Sequence, residues 1–232
     1  MPEGQARIPK LIHYCWFGGR PLDELSLRCM DTWQEQLSGY VVRRWDEQTF
    51  DIDAAPAFVR EAYAKKKFAF VSDYVRAWAL YGEGGIYLDT DVSIRRSLDA
   101  FLVHEAFSGF ERAGFPFTAL WAAAQGHIWP RLVRDDYENR SFSEATNTSL
   151  VTDLLVQRFG ADPSRDELQF LKEGIVIYPS SHFCTDLPPN YACHHFNGSW
   201  LNKGSAHAVP FVDEVRFQYY MRGALRLRGE AE

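Results

Sequence analysis

The 232-residue chain is 46% hydrophobic, 15% aromatic and 24% charged, which supplies one sizeable core and excludes disordered and fibrous chains. Lys+Arg 25 against Asp+Glu 31 leaves a net charge of −6, with no long block of like charge, so a nucleic-acid surface is not expected. The opening MPEGQARIPK lacks the apolar run of a secretory signal, no apolar stretch approaches the ~18 residues of a membrane span, and Cys15, Cys29, Cys184 and Cys193 form no C-x-x-C pair. These features predict a single domain in the cytoplasm with reduced thiols.

In chain order, residues 11–17 form an apolar and aromatic strand that runs into Gly18-Gly19. Helical spacing follows over 22–37, a short strand over 40–45, and a helix over 57–67 whose triple-lysine tail suits a helix C-terminus. Phe70, Tyr74, Ala77, Trp78 and Tyr81 recur at threes and fours, predicting an amphipathic helix over 68–81 that Gly82-Glu83-Gly84-Gly85 stops. A strand is predicted over 86–92, with further strands over 106–110 and 174–178 and helices over 130–137, 149–159 and 211–224. The segment after Ala192 reads as a loop-rich closing element. Buried strands alternating with amphipathic helices predict an α/β sandwich, helices on both faces of a mostly parallel sheet.

The sharpest chemical feature is IYLDTDV at 86–92. Residues i and i+2 of a strand project to one side, so Asp89 and Asp91 would present two carboxylates at the strand's end, where open α/β sheets bind ligands. Such a pair suits Mg²⁺ or Mn²⁺, cations that keep positions open for phosphate oxygens. On the preceding helix Asp73 and Arg76 share a face. They read either as a plain ion pair worth a few tenths of a kcal/mol or as a carboxylate and guanidinium aimed at a phosphate-linked polyhydroxyl ligand.

Taken together, IPKLIHYCWFGG, KKKFAFVSDYVRAWALYGEGGIYLDTDV and YACHHFNGSW resemble the DXD-containing glycosyltransferases of family 32 and, more distantly, the glucosylating domains of large clostridial toxins. The resemblance implies a GT-A fold with a donor-binding part over about 8–112 and an acceptor side with a closing loop over about 113–232. It implies a retaining transfer from a nucleotide-diphosphate sugar, UDP-linked by preference, to a saccharide or glycolipid hydroxyl, with Mn²⁺ or Mg²⁺. Trp16 would stack on the base, Asp73 and Arg76 would hold sugar and ribose hydroxyls, Asp89 and Asp91 would sit at ribose and metal, and Tyr87 would line the pocket. Trp16 also reads as a core aromatic. Asn147 would approach the reacting sugar. The loop carrying Ser199 and Trp200 would close over the diphosphate, with His195 as the metal's imidazole. Adjacent His194 and His195 would point to opposite faces of a strand, so at most one reaches the site, and the sequence leaves open which.

Two rival readings stand beside this one. A haloacid-dehalogenase-like phosphohydrolase would use Asp89 as nucleophile with Asp135-Asp136 as its last motif, although such a motif ordinarily ends the first strand. A metal-dependent sugar-binding module would bind free sugar without nucleotide. The C-terminal stretch with Arg216, Arg222, Arg226 and Arg228 among Tyr219, Tyr220, Leu225 and Leu227 reads first as a solvated helix and second as a candidate for peripheral membrane contact.

Overall fold

The computed structural model describes residues 5–145 and 147–197, and the described residues up to His195 belong to one compact unit. The chain runs β1 (Leu11–Cys15), α1 (Glu24–Gln36), β2 (Val41–Trp45), α2 (Ala57–Ala64), α3 (Phe68–Glu83), β3 (Gly85–Leu88) and β4 (Val92–Ile94). It continues through β5 (Ala106–Arg112), β6 (Phe115–Pro116), β7 (Leu120–Ala123), α4 (Ile128–Glu138) and α5 (Asn147–Leu154). The last described elements are β8 (Gln169–Phe170), β9 (Ile175–Tyr178), α6 (Ser180–Phe183) and β10 (Ala192–His194).

The main sheet has the order β2-β1-β3-β7-β5-β9-β8, with β6 paired to β5. β1 pairs in parallel with both β2 and β3, and β5 with β9. The exceptions are β7, antiparallel to both β3 and β5, β8 at the edge, and β6. The class is therefore the expected one, a mixed α/β architecture around a largely parallel sheet. A separate two-stranded ladder joins β4 to β10.

Alternation along β5 shows how both faces are covered, because consecutive strand residues point to opposite sides. Ala106 belongs to the core that α2, α3 and α4 build with Phe58, Val71, Leu80 and Trp129. Its neighbour Phe107 packs instead on Phe101 and Phe183, the latter from α6. All four residues of β3 are buried, as a strand inside a covered sheet requires. α3 is covered around most of its circumference, so that even Asp73 and Arg76 are buried. Gly84 and Gly85 turn α3 into β3 with φ of 68° and 109°, a region that favours glycine. The buried His13 ring accepts from Trp45 Nε1 at 3.1 Å and donates from Nε2 to the Gly84 carbonyl at 2.8 Å, which pins that turn. All four cysteines are free and buried.

Three local expectations change. The strand read over 86–92 ends at Leu88 and resumes at Val92, with Asp89–Asp91 in a turn between β3 and β4. The segment from Ala192 is not loop throughout, since β10 pairs with β4. The helix read over 149–159 begins at Asn147, and its last turn, Leu155–Phe159, widens to π geometry before Gly160 stops it at φ 85°. The helix read over 211–224 lies outside the described residues.

Candidate active site

Parallel pairing brings the carboxyl ends of β1, β2 and β3 to one edge of the sheet, and so Trp16, Asp46 and Asp89 all emerge there. Because β7 runs the other way, its beginning lies at the same edge, and the Asp89 amide donates to the Ala119 carbonyl at 2.8 Å. The chain then turns at once, with the Val92 amide donating to the Asp89 carbonyl at 3.0 Å. This turn, and not strand pleating, sets Asp89 and Asp91 beside one another.

The β4–β10 register delivers the third group. His194 stands opposite Val92, and its Nε2 lies 3.3 Å from Asp91 Oδ1. Asp89, Asp91 and His194 each offer one ligand atom, all within 4.8 Å of one another. Burial works to lower the His194 pKa, but Asp91 most of all, then Asp89 and Glu111, raise it above the usual histidine value. His195 occupies a different position: its backbone amide donates to the Asp91 carbonyl at 2.9 Å, and its ring Nε2 lies 2.9 Å from Ser93 Oγ. The imidazole brought to the carboxylates is thus that of His194, and the two histidines do diverge. Two carboxylates and one imidazole could hold a divalent cation with coordination positions left over, the imidazole suiting Mn²⁺ better than Mg²⁺.

Behind the carboxylates lies a buried polar network. Arg76 Nη2 sits 3.1 Å from Asp73 Oδ1 and 3.4 Å from Asp89 Oδ1. Its guanidinium stacks over the Tyr87 ring at 4.5 Å, and the Tyr87 hydroxyl donates to Asp89 Oδ1 at 2.9 Å. Arg76 Nη1 donates to the Thr118 carbonyl at 3.1 Å and hydroxyl at 2.9 Å. The Asn147 side-chain amide donates to that same hydroxyl at 2.8 Å, and Tyr137 donates to Asn147 Oδ1 at 3.3 Å. Burial would lower the Arg76 pKa, but Asp89, Tyr87 and Asp73 hold it above its usual value, so the guanidinium stays charged. Burial, reinforced by Asp89, pushes Asp73 up to about 6 against the pull of Arg76 and Arg140. Breaking such a buried ionic cluster by deleting one partner costs about 3–5 kcal/mol.

Tyr14, Cys15 and Phe17 are buried while Trp16 between them is only half-buried, which removes it from the core. Its indole N–H donates to the Arg20 carbonyl at 2.6 Å. Nearby, the Gly18 amide donates to Glu47 Oε1 at 2.6 Å, and Tyr63 donates to the same oxygen at 3.0 Å. Gly18 has φ +92°, and a Cβ there would stand 2.3 Å from the Phe68 ring.

The structure therefore gathers Asp73, Arg76, Tyr87, Asp89, Asp91 and Asn147 in one neighbourhood and sets Trp16 at the same edge. Ser199 and Trp200 lie outside the described residues, as do Arg216, Arg222, Arg226 and Arg228. Among the described residues no helix is long and apolar enough to cross a membrane. Asp135 and Asp136 sit on α4, where they pair with Arg134 at 2.6 Å and Arg140 at 3.2 Å, helix-surface partners and not a strand-end motif. Thr118 and Tyr137 were not legible in the sequence: one precedes a strand that periodicity missed, and the other reads as an ordinary helical aromatic.

Residues 23–108 match the model of a family described as glycosyltransferase sugar-binding region containing DXD motif. No curated protein sequence matches the chain. Among solved structures, the PaToxG glycosyltransferase is 17% identical with a TM-score of 0.48, over 65% of this chain and 68% of that one. A glycosyltransferase involved in glycosylation of the major capsid of PBCV-1 is 10% identical with a TM-score of 0.44, over 89% and 99%.

Proposed function

Taking residues 23–108 as a DXD-containing glycosyltransferase region, we propose that this protein is a metal-dependent, retaining GT-A-type glycosyltransferase. It moves a sugar from a nucleoside-diphosphate donor, UDP-linked by preference, to a hydroxyl of a saccharide or glycolipid acceptor. The observation that carries the reading is the convergence of Asp89, Asp91 and His194 at the carboxyl edge of the sheet. A divalent cation held by these three side chains would offset the charge that grows on the departing diphosphate.

The remaining work falls to the chain's own side chains. Trp16 stacks on the donor base from the end of β1, a contact made equally in ground and transition states. Asp73, ionised above about pH 6, accepts hydroxyls of the donor sugar. Arg76 keeps its charge and holds Asp73 and Asp89 at fixed separation. Tyr87 orients Asp89 through its hydroxyl, and Asn147 presents its amide toward the sugar. Retention follows the route that the family resemblance implies, same-face attack. The acceptor oxygen bonds to the anomeric carbon as the carbon–oxygen bond to phosphate breaks, and the acceptor's proton passes to the departing phosphate oxygen.

The deciding test is proton and phosphorus NMR of one nucleotide-sugar time course with Mn²⁺. Intact nucleoside diphosphate and an α-configured sugar are the expected first products from an α-linked donor. Inorganic phosphate as the primary product would end the transferase reading in favour of a phosphohydrolase. A β-configured first product would end retention alone.

A further inference from the structure

Thr118 belongs to no motif, yet the polar network converges on it. It is 6% exposed, and its hydroxyl oxygen accepts from Arg76 Nη1 at 2.9 Å and from Asn147 Nδ2 at 2.8 Å. A hydroxyl oxygen has two acceptor sites, and both are taken. The backbone carbonyl of the same residue accepts again from Arg76 Nη1 at 3.1 Å. Thr118 thus ties a guanidinium from α3 to an amide from the first residue of α5. The anchor is itself fixed, since Ser108 Oγ on β5 lies 2.6 Å from the Phe117 carbonyl and 2.7 Å from the Leu120 carbonyl. The adjacent Ala119 carbonyl accepts from the Asp89 amide.

We infer that Thr118 is a positioning residue of the transfer reaction, its hydroxyl fixing Arg76, which holds Asp73 and Asp89, and Asn147, which faces the donor sugar. This rests on the proposed transferase activity. Thr118 acts through its neighbours, and its acceptor oxygen is the group that matters. A near-isosteric Thr118→Val keeps the volume and removes the acceptor, leaving the Asn147 amide short of one partner and Arg76 Nη1 with the carbonyl alone. Losing geometry at the groups that hold the carboxylates and face the donor sugar lowers turnover, whereas base stacking by Trp16 keeps donor binding.

The test compares Thr118→Val, Thr118→Ala and Thr118→Ser in the full chain with a UDP-sugar and Mn²⁺. Val and Ala are expected to lower kcat by about 100-fold with donor KM changed by less than about threefold, and Ser to restore kcat to within about threefold of the parent because it keeps the acceptor. Ala, the smaller side chain, carries the test if Val does not fold. A turnover-independent readout accompanies these: exchange of the Asn147 side-chain amide protons, expected to accelerate about tenfold or more in Val or Ala and not in Ser. Retained kcat and retained amide protection in Val or Ala would overturn the inference, and so would a Ser variant as impaired as Val. A parent protein that turns over no nucleotide sugar defeats the transferase reading, while the amide exchange still decides whether Thr118 organises this network.

Discussion

Asp73 carries a carboxylate into a place where burial opposes its charge, and the sign of its effect follows from that. Its pKa stands at about 6 in the folded chain, above the ordinary 3.8. Between those values the folded state binds the proton that the unfolded state has released, so this group's contribution to stability falls as pH rises through the window and is constant above it. In the proposed transfer the same ionisation would supply the acceptor for donor hydroxyls, beside its contact with Arg76. Turnover is therefore expected to decline below about pH 6, and a pH–rate profile of Asp73→Asn should lack that limb and run at a low plateau. At the carboxylate pair, Asp91→Asn keeps shape and removes charge, and it should abolish Mn²⁺-dependent transfer while the circular dichroism spectrum is unchanged. His194→Ala should raise the Mn²⁺ needed for half-activation by about tenfold or more, a larger change than His195→Ala causes; equal effects would argue against His194 as the ligand. Half-buried Trp16 allows a clean separation of binding from folding. Trp16→Ala should raise donor KM more than it lowers kcat, with a stability loss well short of the roughly 3–5 kcal/mol that emptying a core Trp site brings.

Among elements, the join between α3 and β3 is tight against backbone on both glycines. A Cβ on Gly85 would lie 2.4 Å from the Leu11 carbonyl oxygen, and one on Gly84 2.6 Å from the Gln125 amide nitrogen. Gly85→Ala must push β3 from β1 or bend the turn that aims Asp89, so urea unfolding should show a loss of about 3 kcal/mol or more. The apolar periodicity of α3, and the buried runs of β1, β3, β5 and β9, are local properties and were legible from residue order alone. The glycine turn ahead of Asp89 was legible for the same reason. β7 was not, because its four residues, LWAA, carry neither alternation nor a bounding turn signal that separates them from a helix start. The placement of the Asp89–Asp91 pair was read correctly as a pair and for the wrong local cause: a single amide-to-carbonyl bond from Val92 to Asp89 replaces two residues of pleat. The choice between His194 and His195 rests on pairing with a strand far away in the chain, which no local pattern encodes. Thr118 illustrates the same limit, since a hydroxyl in an irregular stretch acquires its role only from α3 and α5.

For the molecule as a whole, the consequential feature is the β4–β10 ladder, three residue pairs long. Strand pairs this short add little stability of their own. Yet this ladder fastens His194, near the end of the described residues, beside Asp91 in the middle of the chain. Were a cation held there, its affinity and ladder formation would be two faces of one equilibrium, and reciprocity would require each to strengthen the other. At 100 times its dissociation constant, Mn²⁺ would add about 2.7 kcal/mol to the folded state. Chelation should accordingly raise amide exchange at Arg95 and His194, whose amides bond to Tyr191 and Cys184, more than at the central strands β1 and β3; uniform exchange would count against the coupling. The ion would act as a clasp as well as a reagent, joining two distant stretches of chain whose short ladder leaves them weakly fastened.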